Sequence, residues 1–505
     1  MATLAPVSGT VPDHRGLSHW MQRVLKELEV LQSAPEKDAV HDLRVAIRRC
    51  RSVAAVMREL DPAPAWHEMR RLPKKLFRKL GELRDTQIMD EWVAEHGAEN
   101  DKLRGALHYF FQEREPKLLQ EALRLAAKFD DKAWQRLEGK LRKRVRLVPH
   151  GSLAAQCLAV ERLNEAKELH NKALRADKPQ SWHDLRIGLK KFRYTVESFL
   201  PEQYELWSPN LKQLQDILGE VHDLDVLRGI IKQKATGEAA EPQPEWERTI
   251  ERQRSARLQE YRELAVGKNS VWHGWQQALP RQKRLQMASL ARLRVTARAT
   301  DARPRRAAEI SRLSTALFDA LGRAHCAPIF DHANMRRVLR ASARLCGVRI
   351  RGTNKAPHKS ARNFLLERPV PPSWTRKEWE LLAAAVRYHR GAEPATSNGA
   401  FSKLHEGQQA NVRALAGILR LARGLRKSGI EQCNGFRVEK TAAAVLLHMP
   451  GLVDSAETAG RLATAKHLLD IYLGKPLILK PSLPPQLVAL PSPSGQDVPL
   501  AEASD

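Results

Sequence analysis

Two short segments of this chain carry the same ordered set of cationic and imidazole side chains. HDLRVAIRRCR begins at His41 and HDLRIGLKKFR begins at His183. At 100° per residue, His41, Arg44, Arg48 and Arg51 fall within roughly 80° of helical arc. Leu43, Ala46, Ile47, Cys50, Ala54 and Met57 take the opposite side. The second segment keeps that register, setting His183, Arg186, Lys190 and Arg193 against Leu185, Leu189, Phe192, Val196 and Phe199. Like charges three and four residues apart on a helix repel by a few tenths of a kcal/mol per pair. A sorted cationic stripe therefore costs stability, and writing it twice points to an anion held between the copies. Arginine offers bidentate forks to phosphate-type oxygens, and lysine offers a point charge that tolerates sliding. Histidines among such cations are expected to stay neutral at pH 7 and to donate one N–H.

The elements that must position these residues are helices. From about residue 15 to 280 the apolar residues recur with helical period, and strand-like alternation is scarce. Breaks fall at DPAPAW (61–66), LVPHGS (147–152) and ADKPQS (176–181), while TGEAAEPQPE (236–245) reads as an exposed loop. A second pair of segments follows the first: KLGELRDTQIMD (79–90) and ILGEVHDLDVLR (217–228). In it Gly81 matches Gly219, Glu82 matches Glu220 and Asp85 matches Asp223. Two copies of one helical unit predict an all-α bundle whose equivalent faces line a shared central groove. Asp42, Asp85, Asp184 and Asp223 are expected to hold arginines in place rather than to ligate a metal.

Composition agrees. The 505 residues carry 85 Lys and Arg against 58 Asp and Glu, a net charge of +27. Such an excess is self-repulsive unless the partner is a polyanion: nucleic acid, an anionic membrane or a phosphate polymer. Aromatic residues make up only 6%, and no basic helix shows the aromatic interleaving of base-stacking surfaces, which sets nucleic acid second. The five cysteines (Cys50, Cys157, Cys326, Cys346 and Cys433) form no ligand spacing, so neither a disulfide framework nor a zinc site is expected. The N-terminus lacks the pattern of a secretory signal, and no apolar stretch is long enough to span a bilayer. The expected location is cytoplasmic, without membrane insertion.

The HDLR segments, the GELRD and GEVHD segments, and their order resemble the CHAD domain family, the conserved histidine α-helical domain, over roughly residues 12–285. The resemblance implies two helical repeats (about 12–145 and 150–285) and a basic groove that binds inorganic polyphosphate, with polyphosphate granules as a candidate location. Carried onto this chain, the implied groove residues are His41, Arg44, Arg48, Arg49 and Arg51, then Lys74, Lys75, Arg78 and Lys79. Their second-half counterparts are His183, Arg186, Lys190, Lys191, Arg193 and Lys212.

Residues 286–309 read as a basic connector. The stretch from 310 to 480 resembles the C-terminal HD-like helical domain of the exopolyphosphatase/guanosine-pentaphosphate phosphatase family. APHKSARNFLLE (356–367), WTRKEWELLAAAVRYHRGAEP (374–394) and ALAGILRLARGLRKS (414–428) carry that resemblance. Its metal-binding pattern is broken, with Leu345-Cys346-Gly347-Val348-Arg349 in place of Leu-His-Asp-Ile-Gly. Arg423 and Arg426 stand where carboxylates belong. His358, Lys359, Arg362, Arg387, His389, Arg420 and Arg423 form the expected secondary anion-binding set. Residues 481–505 read as a disordered Pro-rich tail. The expected protein is a non-catalytic polyphosphate binder with no metal and no cofactor. The alternatives are a nucleic-acid binder and an enzyme of polyphosphate or ppGpp metabolism. These motifs do not encode chain-length preference or oligomeric state.

Overall fold

The computed structural model describes residues 16–301, 303–349, 356–397, 399–430, 434–452 and 455–482. The expected tail beyond Ser482, Cys433 and residues 1–15 lie outside the described residues. The chain divides into unit 1, residues 1–301 with 368–375, and unit 2, residues 302–367 with 376–505.

The regular elements of unit 1 are all helices among its described residues. Its first half comprises α1 (Leu17–Ser33), α2 (Lys37–Leu60), α3 (Pro64–Arg71), α4 (Lys74–His96), α5 (Lys102–Ala127) and α6 (Asp131–Val145). Its second half comprises α7 (Leu153–Ala176), α8 (Pro179–Phe199), α9 (Pro201–Lys234), α10 (Gln243–Ala265), α11 (Val271–Ala278) and α12 (Gln282–Thr300). The packing repeats with the sequence. α1 lies on α2 as α7 lies on α8, α4 on α5 as α9 on α10, and α1 on α6 as α7 on α12. Across the middle, α2 meets α8 and α4 meets α9. The apolar stripes of α2 and α8 are closed off from water, with Leu43, Ile47, Met57, Leu185, Leu189 and Phe192 all at 0% exposure. Burying each such side chain contributes roughly 1.5–3 kcal/mol. That drive is what turns the opposite, cationic stripes inward toward one another's helices.

The segment 286–309, expected as a connector, is largely helix. α12 runs to Thr300 and buries Ser289, Arg292, Leu293 and Val295, with Arg292 Nε 2.8 Å from Glu161 Oε1. The next helix starts at Pro304. Its basic composition hid an amphipathic face whose single buried arginine has a carboxylate partner.

One buried polar group ties the halves together. Asp61, at 0% exposure, accepts from Trp66 Nε1 at 2.7 Å, from Ala63 N at 3.0 Å and from Arg144 Nε at 2.5 Å. Arg144 also donates to the Ala299 carbonyl of α12 at 3.0 Å. Asp61→Ala would strand three donors, so we expect a loss of about 3 kcal/mol in denaturant-measured stability. A loss below about 1 kcal/mol would show that this network does not hold the fold.

Unit 2 contains α13 (Pro304–Arg323), α14 (Ala333–Leu345), α15 (Pro357–Leu366), α16 (Arg376–Tyr388), α17 (Gly399–Ser402), α18 (Glu406–Lys427) and α19 (Ala456–Leu473). The region expected to be helical to 480 also holds a small sheet: β1 (Arg437–Lys440), β2 (Val445–Pro450) and β3 (Leu477–Ser482), in that spatial order. β1 and β2 pair antiparallel, and β2 and β3 pair parallel with α19 as the crossover. The strands are four to six residues long, too short for alternation to register against the surrounding helical periodicity. Pro481 and Ser482 thus belong to β3 and not to the tail. Gly417 and Gly424 allow α19 to approach α18, since a Cβ there would come within 2.8 Å of Leu469 and of Ala465 respectively.

Candidate anion-binding groove

The duplicated segments form α2 and α8, and their cationic stripes converge. Arg44 feels Arg48 on its own helix and Arg186 on α8, while Lys190 on α8 feels Arg186, Arg48 and Arg44. Asp85 of α4 and Asp223 of α9 lie among them. Asp85 Oδ1 is 4.0 Å from Arg44 Nη2, and both carboxylates act on Arg44, Arg186 and Lys190. Four cations and two carboxylates, contributed symmetrically by the repeats, leave an uncompensated positive centre.

The electrostatics follow from that crowding. Burial, reinforced by the three arginines, brings the Lys190 ammonium down to about 7. Burial, opposed by Arg186, lifts the Asp223 carboxyl to about 6, and Asp85 is also raised. Burial and then Arg84 and Arg48 lower His41, which is therefore neutral at pH 7. His183 Nδ1 and His222 Nδ1 are 3.1 Å apart, one donating to the other. Burial and Arg186 bring His222 down to about 4. The Nε atoms of Arg44, Arg48 and Arg186 are buried without a hydrogen-bond partner among the described residues. Leaving a buried donor unmade costs about 1–3 kcal/mol, a cost that a bound oxyanion would remove.

The remaining sequence-derived candidates separate into two groups. Arg51 continues the α2 stripe, lying 5.0 Å over the Phe77 ring and donating to the Arg70 carbonyl. Lys74, Lys75, Arg78 and Lys212 are exposed on α4 and α9. Others are engaged in holding the fold. Arg49 pairs with buried Glu197 and lies 5.0 Å over the Trp20 ring. Lys191 pairs with Glu165 at 2.6 Å, and Lys79 with Glu82 and Glu121 at 2.8 Å each. Arg193 donates to Gln215 Oε1 at 2.7 Å. These four side chains of the expected set thus have partners within the fold, and Arg49 and Lys191, one residue beyond Arg48 and Lys190, turn to a neighbouring face. Among the expected aspartate partners, Asp42 takes Arg23 at 3.1 Å and Asp184 takes Lys172 at 3.6 Å. Arg84, which acts on His41, and His222, beside His183, join the candidate set from outside the expected residues. The signal was available, because they occupy the same place in the GELRD and GEVHD segments.

In unit 2 the expected set also divides. Arg420 donates to the carbonyls of Tyr388, Gly391 and Ala392 at 2.8–3.0 Å, and Arg423 to that of His389 at 3.3 Å. They cap the C-terminal end of α16, where cations are favoured. His389 is 3% exposed, with Nδ1 donating to the Val386 carbonyl at 2.6 Å, which makes it a core histidine. His358, Lys359, Arg362 and Arg387 remain open to a ligand-binding role. Among the described residues, no three His, Cys, Asp or Glu side chains come together as a metal site would require.

The HDLR and GELRD pairs now have a shared geometry, and the sequence from α1 into α9 matches the CHAD domain family over residues 16–232. Residues 16–232 are a CHAD domain. The helices of the second repeat continue past that match to α12. The crystal structure of the CHAD domain from the plant Ricinus communis is 19% identical, with a TM-score of 0.34, and the match covers 52% of this chain and 90% of that one. No curated protein matches the chain. No helix among the described residues is long and apolar enough to cross a membrane.

Proposed function

We propose that the CHAD domain binds inorganic polyphosphate in the α2–α8 groove without cleaving it. CHAD domains as a family are linked to polyphosphate binding. The observation that carries the reading is the convergence of Arg44, Arg48, Arg186 and Lys190 from two repeats, with buried guanidinium donors unpartnered. A flexible strand with about one charge per phosphate can enter between helices, where a duplex is too wide. The same proposal takes unit 2 as a degenerate HD-like domain. What supports that part is the closeness of Cys346 and Arg423, the positions where the family pattern would put metal ligands. Granule residence belongs to the proposal as a location in the cell, tested by imaging.

The deciding measurement is competition between long-chain polyphosphate and single- or double-stranded DNA at matched charge. Polyphosphate should win at ~150 mM salt, with affinity falling log-linearly in salt for every polyanion. Equal or tighter DNA binding would place the nucleic-acid reading first. In the same preparations, Mg²⁺ or Mn²⁺ should elicit no phosphate release from polyphosphate, pppGpp or ATP. Turnover lost on substituting His358 or His389 would make the protein an enzyme.

A further inference from the structure

Unit 2 has its own concentration of unmatched donors, where α15 meets the end of α16. Arg387 is 8% exposed and Tyr388 is 2% exposed, yet Arg387 Nη1 and the Tyr388 hydroxyl find no hydrogen-bond partner among the described residues. His358 Nδ1 and Arg390 Nε are in the same condition. The Arg387 guanidinium lies 4.9 Å from the centroid of the Tyr388 ring, and Arg362 acts on both residues. The charges acting on His358 are Arg387, Arg390, Lys359 and Arg423, all of one sign. The turn after α16 fixes the imidazole from the other side. Gly391 has φ +76°, and a Cβ there would come within 2.9 Å of His358 Nε2.

Buried polar groups are nearly always hydrogen-bonded, so four orphaned ones, with Arg387 against the Tyr388 ring and His358 in the field of both Arg387 and Arg390, call for a missing partner. A metal ion is ruled out as that partner by the field of arginines, which would repel it. A nucleic-acid duplex could not reach donors this deeply buried. An anion with several oxygens meets the demand, because Arg387 and Arg390 can each offer N–H groups while the phenol and imidazole supply single hydrogen bonds.

We infer that His358, Arg362, Arg387, Tyr388 and Arg390 form a second oxyanion site on unit 2, taking a small phosphate-class anion such as orthophosphate or pyrophosphate. The site does not depend on the groove reading for unit 1. At neutral pH, burial and the surrounding cations hold His358 at about 4, so its imidazole meets the anion as a neutral hydrogen-bonding group.

The test uses the full chain with Arg44, Arg48, Arg186 and Lys190 all replaced by Ala, which removes the groove. Pyrophosphate titrated calorimetrically into this variant should still bind at one site per chain. Adding Arg362→Gln and Tyr388→Phe should weaken that binding by at least about tenfold, with the circular dichroism spectrum unchanged. Orthophosphate and sulfate arms at the same ionic strength distinguish a phosphate-class site from a generic dianion site, and sulfate binding as tightly as pyrophosphate would overturn the phosphate assignment. Arg387→Gln is the stronger variant. If it fails to fold, the Arg362/Tyr388 pair decides alone, because one change removes only a phenolic oxygen. No pyrophosphate binding to the groove-less protein, or binding indifferent to both substitutions, would show that these donors are satisfied by water and would overturn the site.

Discussion

Replacing Arg44, Arg48, Arg186 and Lys190 together by alanine should lower polyphosphate affinity at least a hundredfold while leaving the melting temperature at or above that of the parent protein. Each charge-assisted hydrogen bond to an anion contributes about 1.5–3 kcal/mol, so losing four exceeds a factor of ~100 even with partial compensation by Arg51 and the exposed lysines. The slope of log affinity against log salt should become shallower by roughly 0.7 for each cation removed. The stability half of the expectation has the opposite sign because the four groups repel one another in the free protein. That repulsion is already visible in the depression of Lys190. Their opposite faces contribute nothing to the apolar stripes. A variant that melts well below the parent yet binds polyphosphate normally would show that these residues form structural ion pairs. The groove assignment would then fail.

The second large effect is on pH. Polyphosphate affinity should fall steadily as pH rises from 5 to 9, by up to about tenfold per unit where one proton is taken up on binding. Two groups set the window. Lys190, held at about 7 in the free groove, must be charged to bind an anion, so above that pH binding has to recruit a proton. Asp223, raised to about 6, repels the ligand once ionised, so affinity also declines as pH passes through 6. Both act in the same direction.

For the free protein the sign is consistent. A lysine whose folded value lies below the unfolded 10.5 binds fewer protons when folded between 7 and 10.5, so it costs stability as pH falls through that range. Long chains have few terminal phosphates, which keeps ligand titration out of the measurement. Lys190→Arg should keep the affinity and flatten the profile above pH 7, and Asp223→Asn should flatten it below. A parent profile flat from pH 5 to 9 would mean that neither group faces the bound anion.

Much of the candidate site is legible in the sequence because the repeat writes its electrostatics in register with its hydrophobic stripe. Leu43 and Ile47 fix the face of α2 that must be buried, so Arg44 and Arg48 have only the remaining faces available. The same constraint, met again through Leu185 and Leu189, put Arg186 and Lys190 in matching positions. Residues one step off that register are harder to place. Arg49 and Lys191 look equally cationic in sequence, but at 100° per residue they turn to a different neighbour, where Glu197 and Glu165 take them. The helical character of α12 is hard to read from composition because many arginines mask its buried Leu293 and Val295. The strands of unit 2 were missed because four to six residues give too little alternation to read.

The sequence by itself determined the helical class, the duplicated helical segments and the shared register of Arg44, Arg48, Arg186 and Lys190, because these depend on local periodicity and on like residues recurring at like positions. Only the tertiary structure decided which cations remain free for a ligand. Freedom depends on whether a carboxylate or carbonyl from a distant segment reaches the guanidinium first, as Asp61 reaches Arg144 and the end of α16 reaches Arg420. It also decided that Lys190 is buried beside Arg186, Arg48 and Arg44, which brings its charge down to neutral pH against the opposing pull of Asp223. Charge type is written residue by residue. Desolvation and the company each charge keeps exist only once the helices are packed.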